Sequence, residues 1–232
     1  MQCDDMIPML EKLSSRKETP FSQLVYPRDI YKLTETLYEE HPEFEGRQSK
    51  GHRLDLGTTI FTVFPEVFFD EKPADTGYAL VAGRENSVRI SKWIESKYIK
   101  LANNFEKYKV VVPKTNGSGH FGEQLSSPFI AYPYHAQNTT FLSIGCFETL
   151  LEAEACLKYI KTKFARCLLS VLKVTQDNPK GVWEKIPLQD FKNNTPIDWT
   201  KSVNEIDEQL FAYYGLTESE QKFIKDTIKE MN

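Results

Sequence analysis

Residues 139–171 read TTFLSIGCFETLLEAEACLKYIKTKFARCLLSV, and the spacing of their apolar residues changes after Phe147. Before that point the stretch is rich in β-branched and aromatic residues, which is typical of a strand. From Leu150 to Val171 the apolar residues recur every three or four positions, which predicts one amphipathic helix or two consecutive helices. The stretch therefore marks a change from strands to helices.

The rest of the chain extends this pattern on both sides. Further strands are predicted upstream at residues 55–69, 76–83, 108–114 and 127–134. Downstream, a helical pattern ends at Gly215, and Thr217 with Glu220 has the spacing of a capping box. We therefore predict an α+β fold, with a β-rich, mostly antiparallel part at 1–147 and a helical part of the same domain at 148–232.

The composition is that of a globular chain without a membrane segment. The 232 residues are 40% hydrophobic, and no apolar run approaches the roughly 18 residues that a membrane span needs. The acidic N-terminal stretch MQCDDMIPMLEK lacks the pattern of a signal peptide. Cys156 and Cys167 fall in the apolar helical pattern and are predicted to be core thiols. These features predict a cytoplasmic location.

The net charge of −4 conceals two basic segments. The first basic segment, residues 84–120, carries eight Lys or Arg and three Asp or Glu, a net charge of +5. The second basic segment, residues 156–180, carries six and one, which is again +5. If the fold brings the two segments together, they form a positive surface of the kind that binds polyanions. The alternative is that charge simply varies along a solvated surface.

The first basic segment contains a glycine-rich loop within EKYKVVVPKTNGSGHFGE, residues 106–123. Its glycine spacing matches neither of the common nucleotide-binding patterns, and no helical pattern follows it. One interpretation is a plain connection between strands, and the other is a loop that contacts DNA. In the second interpretation, lysines contact phosphates and small polar residues contact base edges. The candidates are Lys107, Lys109, Lys114, Asn116, Ser118 and His120.

The second basic segment continues into SVLKVTQDNPKGVWEKIPLQDF, residues 170–191. A helix is expected to end there, with Trp183 packed against it, whether or not the segment binds a ligand. In the functional interpretation, Gln176 and Asn178 read base edges while basic residues contact phosphates. The candidate phosphate contacts are Lys161, Lys163, Arg166, Lys173 and Lys180.

A different class of function is suggested by RLDLGTTIFTVFPEVFFDEK, residues 53–72. Asp55, Asp70 and Lys72 approximate the two carboxylates and the lysine of many restriction nucleases. In those enzymes the acids hold Mg²⁺ and the lysine assists the attacking water. The alternative is that Asp70 and Lys72 mark the end of a strand that leads into a turn.

Several stretches together resemble a known family: YKVVVPKTNGSGHFGE (108–123), residues 139–191, and IDWTKSVNEIDEQLFAYYGLTESEQKFI (197–224). They are similar to the C-terminal target-recognition domain of adenine-specific DNA methyltransferases of bacterial type II restriction–modification systems. This family includes large single chains that join methylation to cleavage. SSRKETPF (14–21) resembles the start of the same domain, which adds Arg16 and Lys17 to the candidate DNA contacts.

The resemblance implies sequence-specific binding of double-stranded DNA, with catalysis on a methyltransferase or endonuclease domain or subunit of the same system. The family's Asn/Asp/Ser-Pro-Pro-Tyr/Phe motif holds the flipped adenine, but Asn178-Pro179 is followed by neither a second proline nor an aromatic residue. The resemblance therefore implies that the parent enzyme binds S-adenosylmethionine and that this chain binds no cofactor. Mg²⁺ is expected only under the nuclease alternative. A third alternative is a protein-interaction module that uses the acidic C-terminal helices.

Overall fold

The computed structural model describes residues 6–115, 121–122, 125–173, 175–192 and 195–231. Within these ranges the chain has the predicted α+β fold, with mostly antiparallel sheets and helices at the C-terminal end. The helices are α1 (Ile7–Ser15), α2 (Thr36–Glu40), α3 (Ile60–Val63), α4 (Leu150–Lys161), α5 (Lys163–Leu172), α6 (Val203–Tyr214) and α7 (Glu218–Thr227). The strands are β1 (Lys32–Leu33), β2 (Tyr78–Glu85), β3 (Val88–Glu95), β4 (Ile99–Lys100), β5 (Tyr108–Pro113), β6 (Phe129–Ala131), β7 (His135–Gln137) and β8 (Phe141–Phe147).

The described strands form two three-stranded sheets and one short ribbon. In the first sheet, β2 lies between β3, with which it pairs antiparallel, and β7, with which it pairs parallel. In the second sheet, β5 lies between β6 and β8, and both pairings are antiparallel. The ribbon joins β1 to β4.

Two large hydrophobic cores hold the described elements together. The first core lies between the second sheet and the helices, where Val110 and Leu142 are buried in one cluster with Tyr159 of α4. The second core is built from residues 31–105, to which β7 adds Ala136 from later in the chain. Because the strand-rich part of the chain contributes to both cores, the change at residue 147 separates two kinds of secondary structure and not two cores.

The second sheet presents different residues on its two sides because successive strand side chains point to opposite faces. Leu142 and Ile144 of β8 lie in the first core. Phe141 points the other way and packs with Val111 and Ala131. The helices therefore cover one face of this sheet, and the other face turns toward the first sheet.

The prediction of strands at residues 55–69 is wrong. This stretch forms the short helix α3 and a 3-10 turn at Pro65–Val67. Ile60 lies in α3, whereas Phe64 precedes the 3-10 turn and Phe68 follows it, and all three are buried in the second core. The proline of the turn has no backbone N–H and cannot occupy the middle of a sheet.

The helices and helix ends predicted for the helical part are confirmed. The pattern of residues 150–171 resolves into two consecutive helices that separate at Thr162, whose side chain accepts a hydrogen bond from a backbone N–H of α5. Gly215 ends α6 with a φ of 62°, in the left-handed region that glycine favours. Thr217 and Glu220 form the capping box of α7.

Two further predictions concern the core and the membrane. Cys156 and Cys167 are buried, as predicted. No helix among the described residues is long and apolar enough to cross a membrane. The cytoplasmic location stays a prediction.

Candidate nucleic-acid interface

The two basic segments meet where β5 ends. Thr115 of the first segment forms an isolated β-bridge with Asp177 of the second. Beside it, the backbone N–H of Asn178 donates to the Lys114 carbonyl oxygen at 2.7 Å. The Asn178 side chain also donates from Nδ2 to the Pro113 carbonyl oxygen at 3.1 Å. The fold thus brings together two segments that are distant in the sequence, as the polyanion-binding hypothesis requires.

A cavity of about 410 Å³ opens beside this junction, and we call it the junction cavity. Lys114 reaches it from the first basic segment, Lys180 from the second, and Arg28 from the loop before β1. None of these three side chains forms an ion pair with a described residue. The remaining lining residues are Tyr26, Pro27, Asp29, Leu142, Asp177, Asn178 and Pro179.

The charges around the junction cavity favour an anion. Its lining carries three cationic and two acidic side chains. One of the acids, Asp29, also faces a lysine outside the lining, because its Oδ2 lies 3.3 Å from Lys32 Nζ. The other acid, Asp177, is exposed in the loop that follows α5. Lys114, Lys180 and Arg28 are therefore the groups that most directly suit a phosphate.

Asn178 holds the junction together and does not read bases, contrary to the prediction. Its side chain is buried, and its Nδ2 is used by the hydrogen bond to Pro113. Its Oδ1 is also buried and has no partner among the described residues. A side chain in this position acts through the loop that it fixes, so Asn178 is a positioning residue.

Lys109 does not reach the surface, which corrects its assignment as a DNA contact. The side chain is fully buried, and Nζ donates to the carbonyl oxygens of Asn104 at 2.8 Å, Lys107 at 3.1 Å and Phe105 at 3.4 Å. Burial lowers the pKa of the Lys109 amine to about 7. Burial and this neighbouring amine also lower the pKa of His135, to about 4. Lys109 is buried because it lies in the central strand of its sheet, which is covered on both faces.

Two cations of α5 serve the interior of the fold and not a DNA surface. Arg166 is buried, with Nε donating to the Lys161 carbonyl oxygen at 3.0 Å and Nη2 to the Lys229 carbonyl oxygen at 2.6 Å. Burial lowers the pKa of its guanidinium. Lys163 Nζ lies 2.7 Å from the Glu230 carboxylate. Both side chains thus tie α5 to the C-terminal segment.

Arg16 lies beside α6, and Lys17 follows it at a different surface. The Arg16 guanidinium stacks on the rings of Tyr213 and Tyr214, with distances of 5.1 and 4.9 Å to the ring centroids. Its Nη2 donates to the Tyr213 carbonyl oxygen at 2.8 Å. Lys17 is exposed and lines a separate cavity. These two residues therefore do not belong to the junction cavity.

The other candidate DNA contacts are distributed over several places. Lys173 is buried, and Lys161 is half-buried on α4. Lys107 is paired with the Glu148 carboxylate. Gln176 is exposed and lies next to the β-bridge of the junction. Outside the described residues lie Asn116, Ser118 and His120.

The carboxylate of Asp55, the first residue of the nuclease alternative, is occupied by two neighbours. Lys32 Nζ donates to it at 2.7 Å, and His52 Nδ1 lies 2.7 Å from its other oxygen. Burial raises the pKa of Asp55, but these two partners outweigh it and hold the pKa below its usual value. The geometry is that of a surface ion-pair network.

Asp70 and Lys72 also have partners of their own. Asp70 lies 3.1 Å from Lys92 Nζ, and Lys72 Nζ donates to the Asp75 carbonyl oxygen at 2.6 Å. In the described ranges, no group of three or more His, Cys, Asp or Glu residues is arranged to hold a metal ion. The structure thus gives each of these residues a role in a turn or an ion pair.

Sequence reasoning misses Arg28 at the junction cavity. This residue stands in YPRD (26–29), which has neither a run of charge nor a regular apolar pattern. It reaches the cavity because Val25 bridges to Ile144 of β8, which carries the following residues past Leu142. Only this long-range contact could have identified it.

No family model, no curated protein and no solved structure matches the chain. The resemblance to a target-recognition domain therefore stays a prediction. It rests on the stretches of sequence that carry it.

Proposed function

We propose that this chain binds double-stranded DNA as the target-recognition domain of a restriction–modification enzyme. The observation that carries the proposal is the junction of the two basic segments, which gathers Arg28, Lys114 and Lys180 around one cavity. Cations gathered in this way contact the phosphate backbone and set the register of a protein on DNA. The exposed Gln176 beside them is the described side chain best suited to read a base edge.

Catalysis in this proposal belongs to a methyltransferase or endonuclease domain or subunit of the same system, with S-adenosylmethionine bound there. The resemblance of residues 106–232 to the family supports this division of labour. This chain would then bind the DNA target, and the partner domain or subunit would carry out the reaction.

Fluorescence anisotropy with labelled DNA duplexes tests the proposal. Duplexes selected from a random pool provide the probe, and binding is measured over a range of salt concentrations. Each phosphate contact contributes about 0.9 to the slope of log Kobs against log salt concentration. The triple variant Arg28→Gln, Lys114→Gln, Lys180→Gln is expected to lower that slope by about 2.7.

The matched control removes the same charge elsewhere. Lys50, Lys100 and Lys201 are exposed, and the triple change of these residues to Gln is expected to leave the slope nearly unchanged. Failure of the unchanged chain to bind any duplex at about 50 mM salt would refute DNA binding. Equal slopes for the two triple variants would refute the assignment of the junction cavity.

A further inference from the structure

The turn between β2 and β3 places two arginines directly opposite each other. Asn86 and Ser87 have φ values of 49° and 66°, and two successive residues with positive φ are typical of the two-residue turns that join hairpin strands. Arg84 of β2 then pairs in register with Arg89 of β3. We call these two residues the arginine pair.

Each member of the arginine pair lies over an aromatic ring of the second sheet. The Arg84 guanidinium is 5.7 Å from the centroid of Phe141, and that of Arg89 is 4.3 Å from the centroid of Phe129. Arg89 Nη1 also donates to the Ser127 carbonyl oxygen at 3.3 Å. The two rings pack edge to face, 5.6 Å apart, so that the platform beneath the arginines is itself fixed.

This arrangement is unfavourable for the folded chain alone. Like charges directly opposite on neighbouring strands are destabilising, and neither arginine forms an ion pair with a described residue. Arg84 Nε is buried and has no hydrogen-bond partner in the part of the chain that the structure describes. Gln137 lies on the same face, because it pairs with Ala82, and neither polar atom of its fully buried amide has a partner among the described residues. Buried polar groups that have no hydrogen-bond partner destabilise the folded state.

The arginine pair lies at the same end of the second sheet as the junction cavity. Phe141, under Arg84, precedes Leu142, which lines the cavity. Because these two side chains point to opposite faces of β8, the arginine pair and the cavity flank the end of the sheet from its two sides. A duplex that lies across the ends of β5 and β8 would meet both.

We propose that the arginine pair is a second phosphate-binding site, which holds a phosphodiester group of the DNA bound at the junction cavity. A guanidinium presents a planar fork of N–H donors that matches two phosphate oxygens. Two such forks, fixed on aromatic rings and without an ion-pair partner among the described residues, suit one phosphodiester or two neighbouring ones. This proposal rests on the proposed function, since it takes DNA as the ligand.

The test measures duplex binding by the double variant Arg84→Gln, Arg89→Gln across salt concentrations. The slope of log Kobs against log salt concentration is expected to fall by about 1.8, from two lost contacts of about 0.9 each. The double variant Lys50→Gln, Lys100→Gln carries the same change in charge and is expected to keep its slope. The conservative variant Arg84→Lys, Arg89→Lys keeps both charges and is expected to bind more weakly with a slope close to that of the unchanged chain.

A measurement of thermal unfolding separates binding from folding. Because the glutamine variant relieves the repulsion between the arginines but also loses their ring contacts, its midpoint is expected to stay close to that of the unchanged chain. A fall of the midpoint that accompanies the loss of binding would overturn the proposal, since it would assign the pair a structural role. If the glutamine variant binds DNA as tightly and with the same salt dependence as the original chain, this site alone is overturned. Absence of binding by the unchanged chain would overturn both proposals.

Discussion

The buried amine of Lys109 makes the stability of the fold depend on pH. Its pKa of about 7 in the folded chain lies below the 10.5 of an ordinary lysine. Between these two values the folded state binds fewer protons than the unfolded state, so the free energy of unfolding rises with pH. At about 1.36 kcal/mol per pKa unit, the rise between pH 6 and pH 9 is on the order of 2.7 kcal/mol.

Replacement of Lys109 by methionine tests this value, because methionine has a similar length and no charge. Urea unfolding of the unchanged chain and of Lys109→Met is measured at pH 6 and at pH 9. The difference in unfolding free energy between the two proteins is expected to change by about 2.7 kcal/mol in favour of the unchanged chain at the higher pH. Lys100→Met, at an exposed position of β4, is the matched control and is expected to follow the unchanged chain at both pH values.

A difference that stays constant between the two pH values would refute the reasoning. It would mean that the three carbonyl oxygens around Nζ hold the amine in its charged form throughout this range. The hydrogen bonds would then outweigh burial as the cause that sets the pKa of Lys109.

Three further predictions concern the other buried polar groups. Burial raises the pKa of Asp207 to about 6, although its carboxylate accepts hydrogen bonds from the backbone N–H groups of Lys163 and Phe164. The folded state therefore binds more protons than the unfolded state between the usual value of 3.8 and 6, and its stability falls as pH rises through this range. Relative to Asp207→Asn, the unchanged chain should lose about 2 kcal/mol between pH 4 and pH 7 in urea unfolding, and equal pH profiles would contradict this. Gln137→Met should stabilise the chain by about 1–3 kcal/mol, because it removes two buried polar atoms that have no partner within the described ranges, and a loss of stability would show that the amide is bonded in solution. Asn178→Leu should cost about 1–3 kcal/mol of stability and also weaken duplex binding, whereas unchanged binding would show that the junction does not depend on this side chain.

Local sequence patterns predict much of the helical part because its determinants lie within a few residues of each other. The capping box of α7 needs only Thr217 and Glu220, and the end of α6 needs only Gly215. The strand that becomes β8 is equally local, since its β-branched and aromatic residues fit a buried pleated surface. For residues 55–69 the same composition is misleading, because the aromatic side chains fill a core from a short helix, a 3-10 turn and the residues that flank them.

The candidate site depends on contacts that no local pattern contains. Charge clustering predicts that the two basic segments could share a surface, and the β-bridge between Thr115 and Asp177 brings them together. Clustering cannot distinguish Lys109, which is buried, from Lys114, which lines the cavity, because that depends on strand position. The arginine pair likewise becomes visible only when the register of β2 and β3 is known.

The parallel pairing of β2 with β7 couples the folding of the two cores. Val81 lies opposite Ala136, which is 55 positions further along the chain. The intervening residues include β5, the central strand of the other sheet. The second core thus cannot be completed until a long loop has closed, and loop closure costs entropy before the contact forms. A fragment that stops at residue 105 would lack one strand of its own sheet, so the two cores are expected to melt in a single transition.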